Sequence, residues 1–271
     1  MRWVAIAGGF VSGFVLLLAH HNAWWGLGAL SVDQTRYWLT ALVWIELLVV
    51  LLVVTSTAAT ALTREKEALT MELLTSTPLT SRYIIAGMLQ GLVRLVIPLI
   101  AVPVATVAAF ALTDLVRVGT TPVTTPEAIV GVPLLLIAYT ALAALVGLHF
   151  SLTLKKTVQA VMVSVAVVLG GAGLLWACGA AVAGGGSTVS AVILPFTPFP
   201  ALQTLLDPWR VVGSDRIGWN VGPPTAEELT GVRMLAIIFS ALAAAAYAAV
   251  AFGVYASLEK NYDMTVRRQS A

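Results

Sequence analysis

Six stretches of the chain stay apolar long enough to cross a bilayer, and polar residues collect between them. A spanning helix needs about 20 mostly apolar residues. The stretches are 3–19, 38–62, 83–112, 128–154, 158–182 and 229–258. They predict an all-α integral membrane protein with one transmembrane domain over 1–271. Two segments read differently. One is the loop 63–82, between the second and third spans. The other is 184–230, before the sixth, which is long for a simple connection. Within it, Ala191 to Leu206 is too apolar for free solvent. That run predicts short helices dipping into the outer leaflet, broken by Pro195, Pro198 and Pro200, with their backbone covered by protein.

Helix ends carry their own signals. Ser81 can cap the third span. Thr125-Pro126-Glu127 opens the fourth, with proline suited to a first helical turn. Thr225 to Glu228 has the spacing of a capping box. Pro98 and Pro103 predict kinks in the third span. Gly9 and Gly13 form a G-x-x-x-G pair that permits close helix approach. Gly170, Gly171 and Gly173, and the run Ala243 to Ala246, predict crowded helix contacts. Arg2 followed by an apolar run is shared with signal peptides. However, Gly8, Gly9 and Gly13 punctuate that run, and His20-His21-Asn22 replaces a small-residue cleavage pattern, so a retained helix is expected.

Composition sharpens the membrane reading. Apolar residues are 59 % of the 271 and charged residues 10 %, against roughly 25 % charged in soluble domains. Mean hydropathy is +0.94. A net charge of +2 gives nucleic-acid binding no electrostatic support. The single cysteine, Cys178, excludes an internal disulfide and is expected as a small buried hydrophobe. Lysine and arginine set orientation. With loop 63–82 inside, the inner side holds Arg2, Arg64, Lys66, Arg82, Lys155, Lys156, Lys260, Arg267 and Arg268. The outer side holds Arg36, Arg117, Arg210, Arg216 and Arg233. Both termini then fall in the cytoplasm, in a multi-pass protein of the cell inner (plasma) membrane. Trp24, Trp25 and Trp38 sit at the outer interface, as an aromatic belt would.

Catalytic chemistry is sparse. No lysine follows a glycine, so no G-x-x-x-x-G-K-[ST] loop cradles nucleotide phosphates. There is no H-E-x-x-H; His20 and His21 diverge on a helix and His149 stands alone, so no metal site is expected. No catalytic residue is assigned, and the chain reads as a non-enzyme without a cofactor of its own. Two charges lie inside spans: Glu46 in the second and Arg94 in the third. At about 1.5 Å per residue they stand roughly 25 Å and 17 Å from the cytoplasmic ends. Charges at such depth cost roughly 2.5–3.5 kcal/mol on insertion scales, so a partner or water is expected. The readings are an ion pair between helices, a polar lining of a substrate path, or Glu46 reaching the outer interface.

The loop 63–82 is the most informative segment. Glu, Lys, Leu and Met favour helix, and Pro78 stops it. A short amphipathic helix is expected there, with Leu69 and Leu73 on one face; on residues alone it is a plain interfacial helix. The pattern Glu65-Lys66-Glu67-x-x-Thr70-x-Glu72-Leu73-Leu74-x-x-Thr77-Pro78-Leu79-Thr80 resembles the signature of ABC-transporter permeases of the type-2 exporter class. In that family too it lies in the first cytoplasmic loop of six spans. The segment with Pro195, Phe196, Pro198 and Leu205 is similar to the family's outer re-entrant hairpin before the last span. Two features depart: Leu69 stands where the family has glycine, and only Met1 and Arg2 precede the first span, where the family carries an amphipathic segment.

The resemblance implies a permease that pairs with a second copy or paralogue and docks a separate ATP-binding-cassette ATPase, which holds ATP and Mg. Leu69, Leu73 and Leu74 would give that ATPase apolar contact and Glu65, Glu67 and Glu72 polar contact, with Lys66, Thr70, Thr77 and Pro78 completing the coupling segment. Two alternatives stand beside it. One is a secondary transporter coupled to ions through Glu46, although no three-plus-three repeat is evident. The other is a membrane assembly protein that transports nothing.

Overall fold

Apolar residues without water to bond their backbone must satisfy it within the segment, which selects helix. The computed structural model describes residues 2–21, 30–67, 81–116, 122–182, 187–213 and 226–270. Among them the chain is helical, with no strand. The long helices are α1 (Arg2–His21), α2 (Val32–Glu67), α3 (Ser81–Val116), α4 (Ala128–Thr153) and α5 (Thr157–Val182). Three short helices follow, α6 (Ser187–Ile193), α7 (Pro198–Leu206) and α8 (Pro208–Gly213), then the long α9 (Ala226–Ser270). Six helices, α1 to α5 and α9, are long and apolar enough to cross a membrane. The chain is thus a multi-pass membrane protein by helix length and composition.

Several ends differ from the hydropathy reading. α2 begins six residues earlier than 38 and runs to Glu67, so Thr63 to Glu67 belong to a spanning helix. α9 extends past 258 to Ser270. Hydropathy sees where a helix leaves the apolar layer; backbone hydrogen bonding continues into the polar zone. α3 runs through Pro98 and Pro103 without a break. Pro195 and Pro198 stand in the first turns of the 3-10 turn Leu194–Phe196 and of α7, where proline's missing N–H costs nothing. Pro200 lies within α7 and does not break it.

The chain forms two compact units. The first is Met1–Leu48, Leu99–Ile137 and Ala172–Ala244. In it the G-x-x-x-G face of α1 packs as expected: a Cβ on Gly9 would lie 2.5 Å from Val102 Cγ1, and one on Gly13 2.7 Å from Thr106 Oγ1. The short helices pack on one another, and Phe199 of α7 meets Trp44 of α2 edge-on at 5.8 Å. The second unit is Val49–Pro98, Ala138–Gly171 and Ala245–Ala271. Its core joins Leu62, Ile85, Leu145, Leu148, Leu152, Ala251 and Leu258. Tyr139 and Tyr247 meet edge-on there at 4.8 Å.

Two expectations are overturned. Gly170, Gly171 and Gly173 do not mark crowding among the described residues: a Cβ on any of them would meet none of these within 4 Å. Cys178 is exposed, not buried. Both follow from α5, whose apolar stretch is only 11 % buried, against 50 % for α2 and α4. Of the alanine run, Ala243 and Ala244 are buried and Ala245 and Ala246 exposed.

Candidate functional site

Of the ten residues expected to couple to a partner, Leu69, Thr70, Glu72, Leu73, Leu74, Thr77 and Pro78 lie outside the described residues. Glu65, Lys66 and Glu67 form the last turn of α2, in the second unit. There Lys66 Nζ donates to the carbonyls of Ser151, Leu152 and Leu154 at 2.8, 2.5 and 3.2 Å. These are carbonyls at and just beyond the end of α4, where a helix leaves its last acceptors unsatisfied and presents its negative pole. The neighbouring Glu67 accepts the backbone N–H of Thr157 at 2.8 Å, at the positive pole of α5. Ser151, in the last turn of α4, is fully buried. Its Oγ accepts the N–H groups of Leu62 and Thr63 at 2.9 and 3.2 Å. Thr63 Oγ1 in turn donates to Ala59 O. Sequence reasoning gave Lys66 and Glu67 to a partner and passed over Ser151. The signal that could have found it is a lone serine near the end of an apolar helix, just before Lys155-Lys156.

The first unit holds a polar node around Arg36, which is 8 % exposed. Its guanidinium donates to Val123 O at 3.2 Å, Pro122 O at 2.6 Å and Asp33 Oδ1 at 3.1 Å. It also stands 3.7 Å over the Trp209 ring, a cation–π geometry. Asp114 Oδ2 accepts the N–H groups of Val123 and Thr124 at 2.8 and 3.0 Å. Thr125 Oγ1 donates to Leu205 O at 3.0 Å, and Arg233 pairs with Glu127. Burial pushes the Asp207 carboxyl above its usual range, against the pull of Arg36. The node therefore fixes the segment 122–127 to α2, α3 and the short helices. From the sequence Arg36 entered only the charge count; its acceptors, mostly backbone carbonyls, were not legible.

Glu46 also lies in the first unit, on α2, and is 8 % exposed. Neither carboxylate oxygen has a hydrogen-bond partner among the described residues. Gly9 of α1 covers it: a Cβ there would come within 3.1 Å of Glu46 Oε1. Arg94 on α3 is exposed. Glu46 belongs to the first unit and Arg94 to the second. Among the described residues, no three His, Cys, Asp or Glu side chains come together in a way that could hold a metal. Comparison with family models, curated proteins and solved structures finds no match to the chain.

Proposed function

We propose that the chain is the membrane-spanning subunit of an ATP-binding-cassette exporter. The observation that carries this reading is the pattern from Glu65 to Thr80, which begins in the last turn of the second of six helices long and apolar enough to span a membrane and ends before the third. The partner ATPase binds ATP and Mg, since no phosphate-cradling loop is present in this sequence. Two permease copies, or one and a paralogue, enclose the substrate path in the inner membrane, with termini in the cytoplasm and the α6 to α8 segment entering the outer leaflet. Lys66 and Glu67 are occupied within the chain, so contact with the ATPase falls to Leu69, Glu72, Leu73 and Leu74. Replacing Glu72 and Leu73 together should uncouple ATP hydrolysis from transport in the co-purified complex. Unchanged assembly and coupling would remove that segment from the role.

A second reading is favoured by Glu46. A buried carboxylate without a hydrogen-bond partner among the described residues suits a secondary transporter that binds an ion there. That protein would drive transport from an ion gradient with no ATPase present, and Glu46→Gln would abolish it. Gradient-driven transport by the purified chain alone would displace the first reading.

A further inference from the structure

Lys66 and Glu67 are adjacent, carry opposite charge, and meet opposite poles of two different helices. Lys66 holds the carbonyl end of α4 and Glu67 the amide end of α5. Exchanging the two side chains would set like against like at both poles. Each end also uses groups that have no intrahelical partner, so the bonds replace water rather than compete with the helices. Ser151 adds two further bonds to the α2 backbone at Leu62 and Thr63. Around these bonds Leu62, Leu148 and Leu152 are all nearly fully buried, which leaves no slack for sliding.

We propose that Lys66 and Glu67 are positioning residues that tie the end of α2 to the turn 154–156, so that the turn and the start of α5 move with α2 as one body. A displacement entering at the end of α2 is then delivered to α5 directly, as well as along α2 itself. Its meaning for transport rests on the permease reading; the tie does not.

The test is an electron paramagnetic resonance distance distribution on the full chain in lipid nanodiscs. Spin labels go on Arg64→Cys and Val158→Cys, both exposed positions, in a Cys178→Ser background. The otherwise unaltered chain should give one narrow peak. Glu67→Met and Lys66→Met should each lose it and give a broad distribution, while Lys66→Arg keeps it. Should Lys66→Met fail to fold, Glu67→Met, which removes the acceptor at an exposed position, still decides. A residue that merely stabilises the fold would lower the unfolding temperature and leave the peak narrow. That result in both variants would overturn the proposal. No ATPase is needed, so the measurement can fail or succeed independently of the permease reading.

Discussion

Replacing Gly147 by alanine adds one carbon at a place with no room for it. That Cβ would lie 2.7 Å from Thr55 O, 2.8 Å from Ala58 Cβ and 3.2 Å from Ala59 N. Carbon normally rests about 3.3 Å or more from a carbonyl oxygen and about 3.5 Å from another carbon, so both contacts fall short by roughly 0.6–0.7 Å. Two of the three atoms are α2 backbone, which cannot swing aside as a side chain can. The helices must part, loosening the packing of Leu62 and Leu148, which are 1 % and 0 % exposed. Overpacking of this kind costs about 1–3 kcal/mol. Better helix propensity returns about 0.5–1 kcal/mol, which leaves a net loss centred on about 1 kcal/mol and reaching about 2.5 kcal/mol. The assay is thermal unfolding of the detergent-purified protein, followed as loss of the monodisperse gel-filtration peak. Gly171→Ala is the control, because a Cβ there meets nothing within 4 Å; its midpoint should match or exceed that of the parent. Equal midpoints for the two variants would refute the reasoning.

Three further outcomes are expected. Arg36→Ala should lower the unfolding midpoint, by roughly 2–3 kcal/mol for charge-assisted bonds to carbonyls left unpaired, and should shift the fluorescence of Trp209; Arg36→Lys should recover only part, lacking the fork and the stack. Glu46→Leu should leave stability unchanged or raise it, since no hydrogen bond is lost; a large drop would mean the carboxylate has a partner. Burial alone would push the Glu127 carboxyl up, but its backbone hydrogen bond and Arg233 hold it below the usual range. Its contribution is therefore complete above the ordinary carboxylate range and lost as pH falls through the lowered value. Glu127→Gln should lack that part of the acid loss of stability, and an identical acid branch in both proteins would count against the pair.

The spans were legible because lipid imposes one rule on every one of them: about 20 apolar residues with internal backbone bonding. The fourth and fifth ends, 128 and 182, coincide with Ala128 and Val182. Ends that outrun the apolar layer, at Val32 and Ser270, leave no hydropathy trace. The α1 glycines were legible as a packing face because close approach excludes a Cβ. The same residue type misled at Gly170, Gly171 and Gly173, since glycine permits contact without requiring it. The roles of Lys66 and Glu67 were hidden for another reason. Their partners are backbone carbonyls and an amide near 151–157, about 90 residues away in sequence, and backbone groups have no sequence signature.

Work through a separate ATPase is the function we propose for this chain. The direct measurement is ATP hydrolysis by the complex purified on this chain and reconstituted in nanodiscs, compared with the same complex carrying Glu72→Ala and Leu73→Ala. Hydrolysis is expected in the first, and its loss, or its release from transport, in the second. A chain that purifies without any ATPase and carries out transport on an ion gradient alone would contradict it.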